Sequence, residues 1–274
     1  MAQSIWRVTL LPRKNFGNTG IKVSTLGLGT VKLGRNERVK YPQRYSIPDD
    51  RDAASLIAQA RGLGINLIDT APSYGNSEER LGSLLKGSRN QWIICTKVGE
   101  EFKDSESEFD FSPQHTRFSI ERSLKRLNTD VIDIALVHSD GDDINIIKNY
   151  GTLEALDQLK AEGKIRAFGM SCKTLEGGLL AAKQSDGVMV TWNLEYSGEL
   201  PVIDYCSLHN KGVFIKKALA SGHAAKSIAN NSVNKSFQMV LEHQGVSSAI
   251  IGTINPHHLA ANVAEAKKIL RQQT

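Results

Sequence analysis

The run Ile65-Asn66-Leu67-Ile68-Asp69-Thr70-Ala71-Pro72-Ser73-Tyr74-Gly75 decides how the rest of the chain is read. Ile65, Leu67 and Ile68 make a short, near-continuous apolar run, the pattern of a parallel strand covered by helices on both faces. The run stops at an acid, Asp69. A loop holding Pro72 and Gly75 then presents Tyr74, and Ser77-Glu78-Glu79-Arg80 starts a helical stretch. An acid at the carboxyl end of a buried strand, followed by a loop-borne phenol, is where an α/β enzyme keeps its chemistry.

Outward from this run the chain alternates. Asp49 or Asp50 can cap a helix to about Arg61, with Ala53, Ala54, Ile57 and Ala60 on one face. Counting from Leu26, strands are predicted at 26–30, 65–68, 92–97, 132–137, 165–171, 188–195, 212–215 and 248–251. Helical stretches at 49–61, 78–85, 112–127, 151–161, 174–184, 233–244 and 256–270 fall between or beside them. Strands alternating with helices of this length imply a parallel sheet, and eight with no change of pattern imply closure. The expected fold is an α/β (β/α)8 TIM barrel, one domain over residues 1–274. An open doubly wound sheet is the alternative, but no strand is followed by the Gly-x-Gly-x-x-Gly fingerprint.

Three stretches stand outside the alternation. Residues 4–11, a turn-rich 15–20 and residues 21–24 predict a short N-terminal β-hairpin. Residues 35–48 are polar, hold Pro42 and Pro48, and are long for a barrel connection, as a functional lid or a disordered loop would be. The acid-rich insert at 100–111 reads as a mobile loop.

At 274 residues and 40% hydrophobic the chain can bury a full core. Its formal charge of +5 is mild, and Lys and Arg are scattered among acids, so no nucleic-acid partner is expected. Three well-separated cysteines, Cys95, Cys172 and Cys206, offer neither a CxxC metal pair nor a disulfide framework. His257-His258 lack supporting ligands at metal spacing, so no metal is expected. No window approaches the ~20 apolar residues of a membrane span, and no signal-peptide pattern is present, so the expected address is the cytoplasm.

In a barrel of this kind the active site lies at the C-terminal rim of the strands. The rim residues after the second, third and fourth predicted strands are Asp69, Lys97 and His138, and Tyr74 reaches over the same mouth. Singly, these could be a turn cap, a solvated strand end, a packed imidazole and a loop aromatic. Jointly, they point to proton donation. A phenol is a weak acid at neutral pH, and a nearby ammonium is expected to lower its pKa. Asp69 would keep Lys97 charged, and His138 could bond a substrate carbonyl. Such a set stabilises oxygen that gains negative charge, as carbonyl reduction requires. The protein supplies no electrons, so a cofactor must.

These residues, with the motifs Leu26-Gly27-Leu28-Gly29-Thr30, Thr96-Lys97-Val98-Gly99, Gly169-Met170-Ser171 and Ile251-Gly252-Thr253, give the chain a resemblance to the aldo-keto reductases. That family consists of NAD(P)H-dependent barrels without a Rossmann motif. The resemblance runs from about Gly20 to Asn262. It implies that Tyr74 is the general acid, that Asp69 and Lys97 tune it, and that His138 orients the substrate oxygen. It implies cofactor contacts at Gly29 and Thr30, at Ser171, Cys172 and Asn193 around the nicotinamide amide, and at Gly252, Thr253, Asn255, His258 and Asn262 around the adenosine phosphate. The family usually has Asn and Gln where Cys172 and Asn193 stand here. After the seventh strand it commonly has an aromatic that stacks on the nicotinamide, followed by Ser-Pro-Leu. Here Lys216-Lys217-Ala218-Leu219-Ala220-Ser221 stands there, and Lys216 or Lys217 is expected to meet the pyrophosphate, with Ser221 beside them.

The implied activity is reversible reduction of aldehydes or ketones by NADPH, with NADH as the other option. The implied partner is a small carbonyl substrate, acted on by a monomer or weak homo-oligomer. Two other readings stand beside it: a slow-turnover NADP-binding regulatory or redox-sensing module, and a lyase using Lys97 as a Schiff-base amine.

Overall fold

Twelve strands set the frame: β1 (Arg13–Asn15), β2 (Lys22–Ser24), β3 (Leu26–Gly29), β4 (Leu67–Asp69), β5 (Ile93–Val98), β6 (Glu100–Lys103), β7 (Glu106–Phe109), β8 (Ile132–His138), β9 (Ile165–Ser171), β10 (Gly187–Thr191), β11 (Gly212–Lys216) and β12 (Ser248–Ile251). The computed structural model describes residues 10–39, 41, 43–220 and 232–272. Eight of the strands, β3, β4, β5, β8, β9, β10, β11 and β12, close into a parallel barrel in chain order, β12 pairing back on β3 with Ala249 opposite Leu26. The predicted (β/α)8 barrel is the fold observed.

Helices cover the outside, and their starts follow the side chains that cap them. Asp49 accepts from the Asp52 amide ahead of Asp50–Gly62, and Ser112 accepts from the His115 amide ahead of Pro113–Arg126, with proline in the first turn. Thr174 and Asn255 do the same for Leu175–Gln184 and Pro256–Arg271. The layer between sheet and helices is apolar, with Leu28, Ile68, Ile94, Ala135 and Val137 facing outward from the barrel strands.

Strand side chains alternate, so the residues between those face the barrel axis. Leu67, Cys95, Ile134, Leu136, Ala167, Met189 and Phe214 fill the interior. Further along the same strands, Asp69, Lys97, His138, Ser171 and Lys216 also take inward positions and therefore ring one end of the barrel. The opposite end is plugged by the β1–β2 hairpin. Its Phe16, fully buried, lies 4.6 Å from the Phe214 ring. A Cβ on Gly212 would sit 2.3 Å from the Phe16 ring, so the first residue of β11 has room only for glycine.

Several boundaries differ from the sequence reading. The hairpin's first arm is Arg13–Asn15, while residues 4–9 lie outside those described. The insert at 100–111 is an ordered antiparallel hairpin, β6–β7, with Glu100 opposite Phe109. The predicted strand at 188–195 ends at Thr191, where the chain folds back through a bridge between Asn193 and Tyr196. Helices at Val31–Gly34, Asp143–Asn149 and Leu200–Leu208 were not predicted.

Candidate active site

The rim carries its ionisable groups on neighbouring strands. Asp69 ends β4, Lys97 is next to last in β5 and His138 ends β8, and these strands pair in that order. Lys97 and Asp69 are both buried, and Nζ donates to Asp69 Oδ1 at 2.6 Å and to the Thr70 carbonyl at 2.9 Å. Burial works against the Lys97 charge, but the Asp69 carboxylate outweighs it and holds the ammonium above its ordinary range. An amine held protonated beside Asp69 is poorly set to act as a nucleophile.

Tyr74 is brought over this pair by a loop in which two backbones touch. Gly75 has a φ of +62, and a Cβ there would meet the Gly34 carbonyl at 2.1 Å. Lys97 Nζ lies 4.9 Å from the Tyr74 ring centroid, and the Tyr74 and His138 rings meet edge-on at 6.3 Å. The expected lowering of the phenol does not prevail. Burial raises it and Lys97 lowers it, and the outcome is a pKa of about 12. At neutral pH Tyr74 therefore keeps its proton.

Two further segments frame the mouth. Arg35 donates to the Ser73 carbonyl at 3.0 Å, and its guanidinium lies 3.3 Å from the Phe102 ring of β6. Tyr41 stands under the Lys32 ammonium, 3.9 Å from its ring, and its hydroxyl is the atom an added Cβ on Gly252 would meet at 2.7 Å. Burial pushes the Tyr41 phenol up, and Tyr74, Tyr45 and Asp69 push it the same way. Arg35 thus meets the Tyr74 loop, and Tyr41 the residue that follows β12. Glu100, the first residue of β6, places Oε2 2.6 Å from His138 Nδ1. Sequence reasoning missed it, because one acid among many in a charged run carries no signal of direction.

On the other side of the rim, Ser171, Cys172 and Asn193 are buried. Lys216 donates to Ser171 Oγ at 2.9 Å and to the Cys172 carbonyl at 2.6 Å, so it points across the barrel mouth toward β9. Burial brings its pKa to about 8. Asn193 donates to the Lys217 carbonyl at 3.1 Å, and Lys217 itself has a φ of +56. Ser221 lies outside the described residues. Gly29 ends β3 and Thr30 follows it, with Thr30 Oγ1 donating to the Asp69 carbonyl at 2.9 Å.

The turn after β12 suits an anion. Asn255 accepts from the amides of His257 and His258 and caps the helix that follows. Among the described residues the amides of Thr253 and Ile254 make no hydrogen bond. Successive free N–H groups before a helix start form a concavity for phosphate oxygens. Asn255 and His258 are exposed there and Asn262 is half-buried one turn further on. These residues fit the phosphate end of a dinucleotide, and Ser171 with Asn193 fits an amide-bearing ring nearer Tyr74. Among the described residues no group of three or more His, Cys, Asp or Glu could hold a metal ion, and no helix is long and apolar enough to cross a membrane.

Comparisons with known proteins fit this geometry. The family model described as "Aldo/keto reductase family" matches residues 25–239. L-galactose dehydrogenase of Arabidopsis thaliana is 37% identical over 60% of this chain and 49% of its own length. D-arabinose 1-dehydrogenase of Saccharomyces cerevisiae is 32% identical over 77% of this chain and 61% of its own. The chain thus spans about half to three-fifths of the length of these curated relatives. A solved structure from Pseudomonas aeruginosa, described as a candidate aldo-keto reductase, superposes with a TM-score of 0.86 at 55% identity, covering 94% of this chain and 96% of that one. The holo form of an aldo-keto reductase from Bacillus halodurans, at 24% identity and a TM-score of 0.77, shares the fold. From the match over most of the barrel, the chain belongs to the aldo/keto reductase family.

Proposed function

We propose that this protein reduces aldehydes or ketones with a reduced nicotinamide dinucleotide, and runs the reverse oxidation of alcohols. The observation that carries the reading is the buried Lys97–Asp69 pair, 2.6 Å apart, with its ammonium 4.9 Å from the ring of Tyr74. A reduced nicotinamide, when bound, supplies the hydride. Tyr74 holds the proton that the substrate oxygen needs as it gains negative charge. Lys97 lowers the cost of phenolate once that proton has left, and Asp69 keeps Lys97 charged at a site screened from water. His138, half-buried at the end of β8, faces the same opening and contacts the substrate oxygen.

We take Ser171 and Asn193 as the holders of the nicotinamide amide, with Gly29, Thr30 and Cys172 lining that part of the mouth. Lys216, bonded to Ser171, belongs with this group, and Lys217, exposed beside it, is assigned to the pyrophosphate side. Gly252, Thr253, Asn255, His258 and Asn262 are assigned to the adenosine end, where His258 stands in place of the basic residue that often grips a 2′-phosphate and Ala261 in place of an acid; NADPH is preferred over NADH. An NADH-specific methylglyoxal reductase of Escherichia coli, 36% identical over 56% of this chain, makes both cofactors necessary in any assay. The named sugar dehydrogenases make aldoses with oxidised cofactor a necessary arm as well.

The test is absorbance of the reduced nicotinamide with each cofactor across an aldehyde panel, repeated with Tyr74→Phe. The expected result is turnover by the wild type, reduced by about 10²-fold or more in the variant, with cofactor binding by fluorescence titration unchanged. Full activity in the variant removes Tyr74 from the role. Tight cofactor binding with no turnover of any carbonyl or alcohol favours the regulatory module instead.

A further inference from the structure

His138 has two ring nitrogens, and which one carries the proton decides what the ring can offer a substrate. Its Nδ1 lies 2.6 Å from Glu100 Oε2. Glu100 is itself held from two sides, accepting from Ser73 Oγ at 3.0 Å and from Ser107 Oγ at 2.7 Å. Both serine protons are thereby spent on Glu100. Ser73 Oγ, 3.4 Å from Nδ1, has no proton left to give the ring. An ionised carboxylate only accepts, so a bond of this length needs a hydrogen on Nδ1. Among the described residues no hydrogen bond engages Nε2, which leaves it for the substrate.

We propose that Glu100 is a positioning residue that pins a proton on Nδ1 of His138, so that Nε2 donates to a carbonyl oxygen only in the imidazolium form and otherwise accepts from a substrate hydroxyl. The proposal rests on the carbonyl-reduction reading above. His138 forms no covalent bond and finishes each cycle with the protons it began with; the proton delivered to the substrate comes from Tyr74.

The charge balance around the ring supports a neutral resting state. Burial lowers the His138 pKa, Glu100 raises it, and the Lys97 and Lys216 ammoniums lower it again, leaving it below the usual 6.5. Tyr74, the remaining titratable group against the ring, keeps its proton up to about 12. Burial raises the Glu100 carboxyl, yet its bonds with His138, Ser107 and Ser73 hold it at about 2. Near neutral pH the pair is therefore carboxylate and Nδ1–H imidazole. Nε2 then offers a lone pair, which suits an alcohol about to be oxidised. As pH falls through the imidazole pKa, Nε2 gains a hydrogen and suits a carbonyl about to be reduced. The two directions of one reaction acquire opposite pH profiles in the acid range, far from the phenol's own titration.

Long-range ¹H–¹⁵N correlation spectra of the whole protein, with the His138 signals assigned by their loss in His138→Ala, read the tautomer without any substrate. The expected pattern near neutral pH is Nδ1–H in the wild type and a mixed or Nε2–H pattern in Glu100→Gln, whose amide can donate as well as accept. In kinetics, wild-type kcat/KM for reduction should rise toward acid pH while that for oxidation falls. In Glu100→Gln the acid-range slope of reduction should flatten by at least threefold. An Nε2–H tautomer in the wild type overturns the proposal, and so does an unchanged reduction profile in Glu100→Gln. If the wild type turns over no carbonyl or alcohol, the reduction reading fails together with the predicted profiles, while the wild-type spectrum still decides whether Glu100 pins the proton.

Discussion

Lys97 and Asp69 show how much a single buried contact carries at the residue scale. Their side chains are 2% and 5% exposed, so neither charge has water to fall back on. Removing one partner leaves the other charge buried and alone, which costs about 3–5 kcal/mol. Asp69→Ala should lower the unfolding free energy by that amount and move the urea midpoint down with it, whereas Tyr74→Phe should leave both nearly unchanged; urea unfolding of both variants checks the contrast. Asp69, Lys97, Tyr74 and His138 could be picked out of the sequence because each follows a strand whose end was plain, and barrel geometry then supplies convergence. Glu100 could not, since its aim depends on the pairing of Glu100 with Phe109 across a hairpin that no apolar pattern announces. Lys216 was visible as a cation at the end of a strand. Its bond to Ser171 was not, because that contact crosses the mouth between strands that are not neighbours.

At the scale of elements, the Tyr74 loop depends on backbone proximity more than on side chains. Gly75 needs both a left-handed conformation and the space beside the Gly34 carbonyl. Alanine there should displace the loop and with it Tyr74, at a cost of about 10²-fold in kcat/KM for a shift of the order of 1 Å. Steady-state kinetics alongside a cofactor titration would show turnover falling with binding kept. The barrel strands were legible because parallel strands buried on both faces are continuous apolar runs. The β6–β7 hairpin was not, since Glu106–Phe109 is exposed throughout and the partner strand is only half-buried. The helix Leu200–Leu208 was missed for the opposite reason. Its apolar residues run nearly all round, giving little of the contrast between faces on which helical periodicity depends.

For the whole molecule, the two ends of the barrel do different work. The rim holds the ionisable groups, while the far end is closed by Phe16 against Phe214 and by the Lys14 ammonium, which donates to the Val246 carbonyl at 3.1 Å. Conservation of activity and loss of stability should therefore separate cleanly. Phe16→Ala is expected to cost about 3–5 kcal/mol while leaving KM for cofactor and substrate within twofold, a pairing that thermal melts and initial-rate assays test together.

The junction of β12 with β3 has a consequence for how the fold would respond to the proposed dinucleotide. That junction joins strands from opposite ends of the barrel's sequence, so it is the contact most exposed to the entropy of closing a long loop. The residues assigned to the dinucleotide stand on both of its sides, Gly29 at the end of β3 with Thr30 just after it, and Gly252 and Thr253 just beyond β12. A molecule gripping both lips acts as a clasp, and its free concentration sets how often the ring springs open, by RT ln(1 + [L]/Kd). With the dinucleotide held as proposed, its cellular supply would govern how long the folded protein survives.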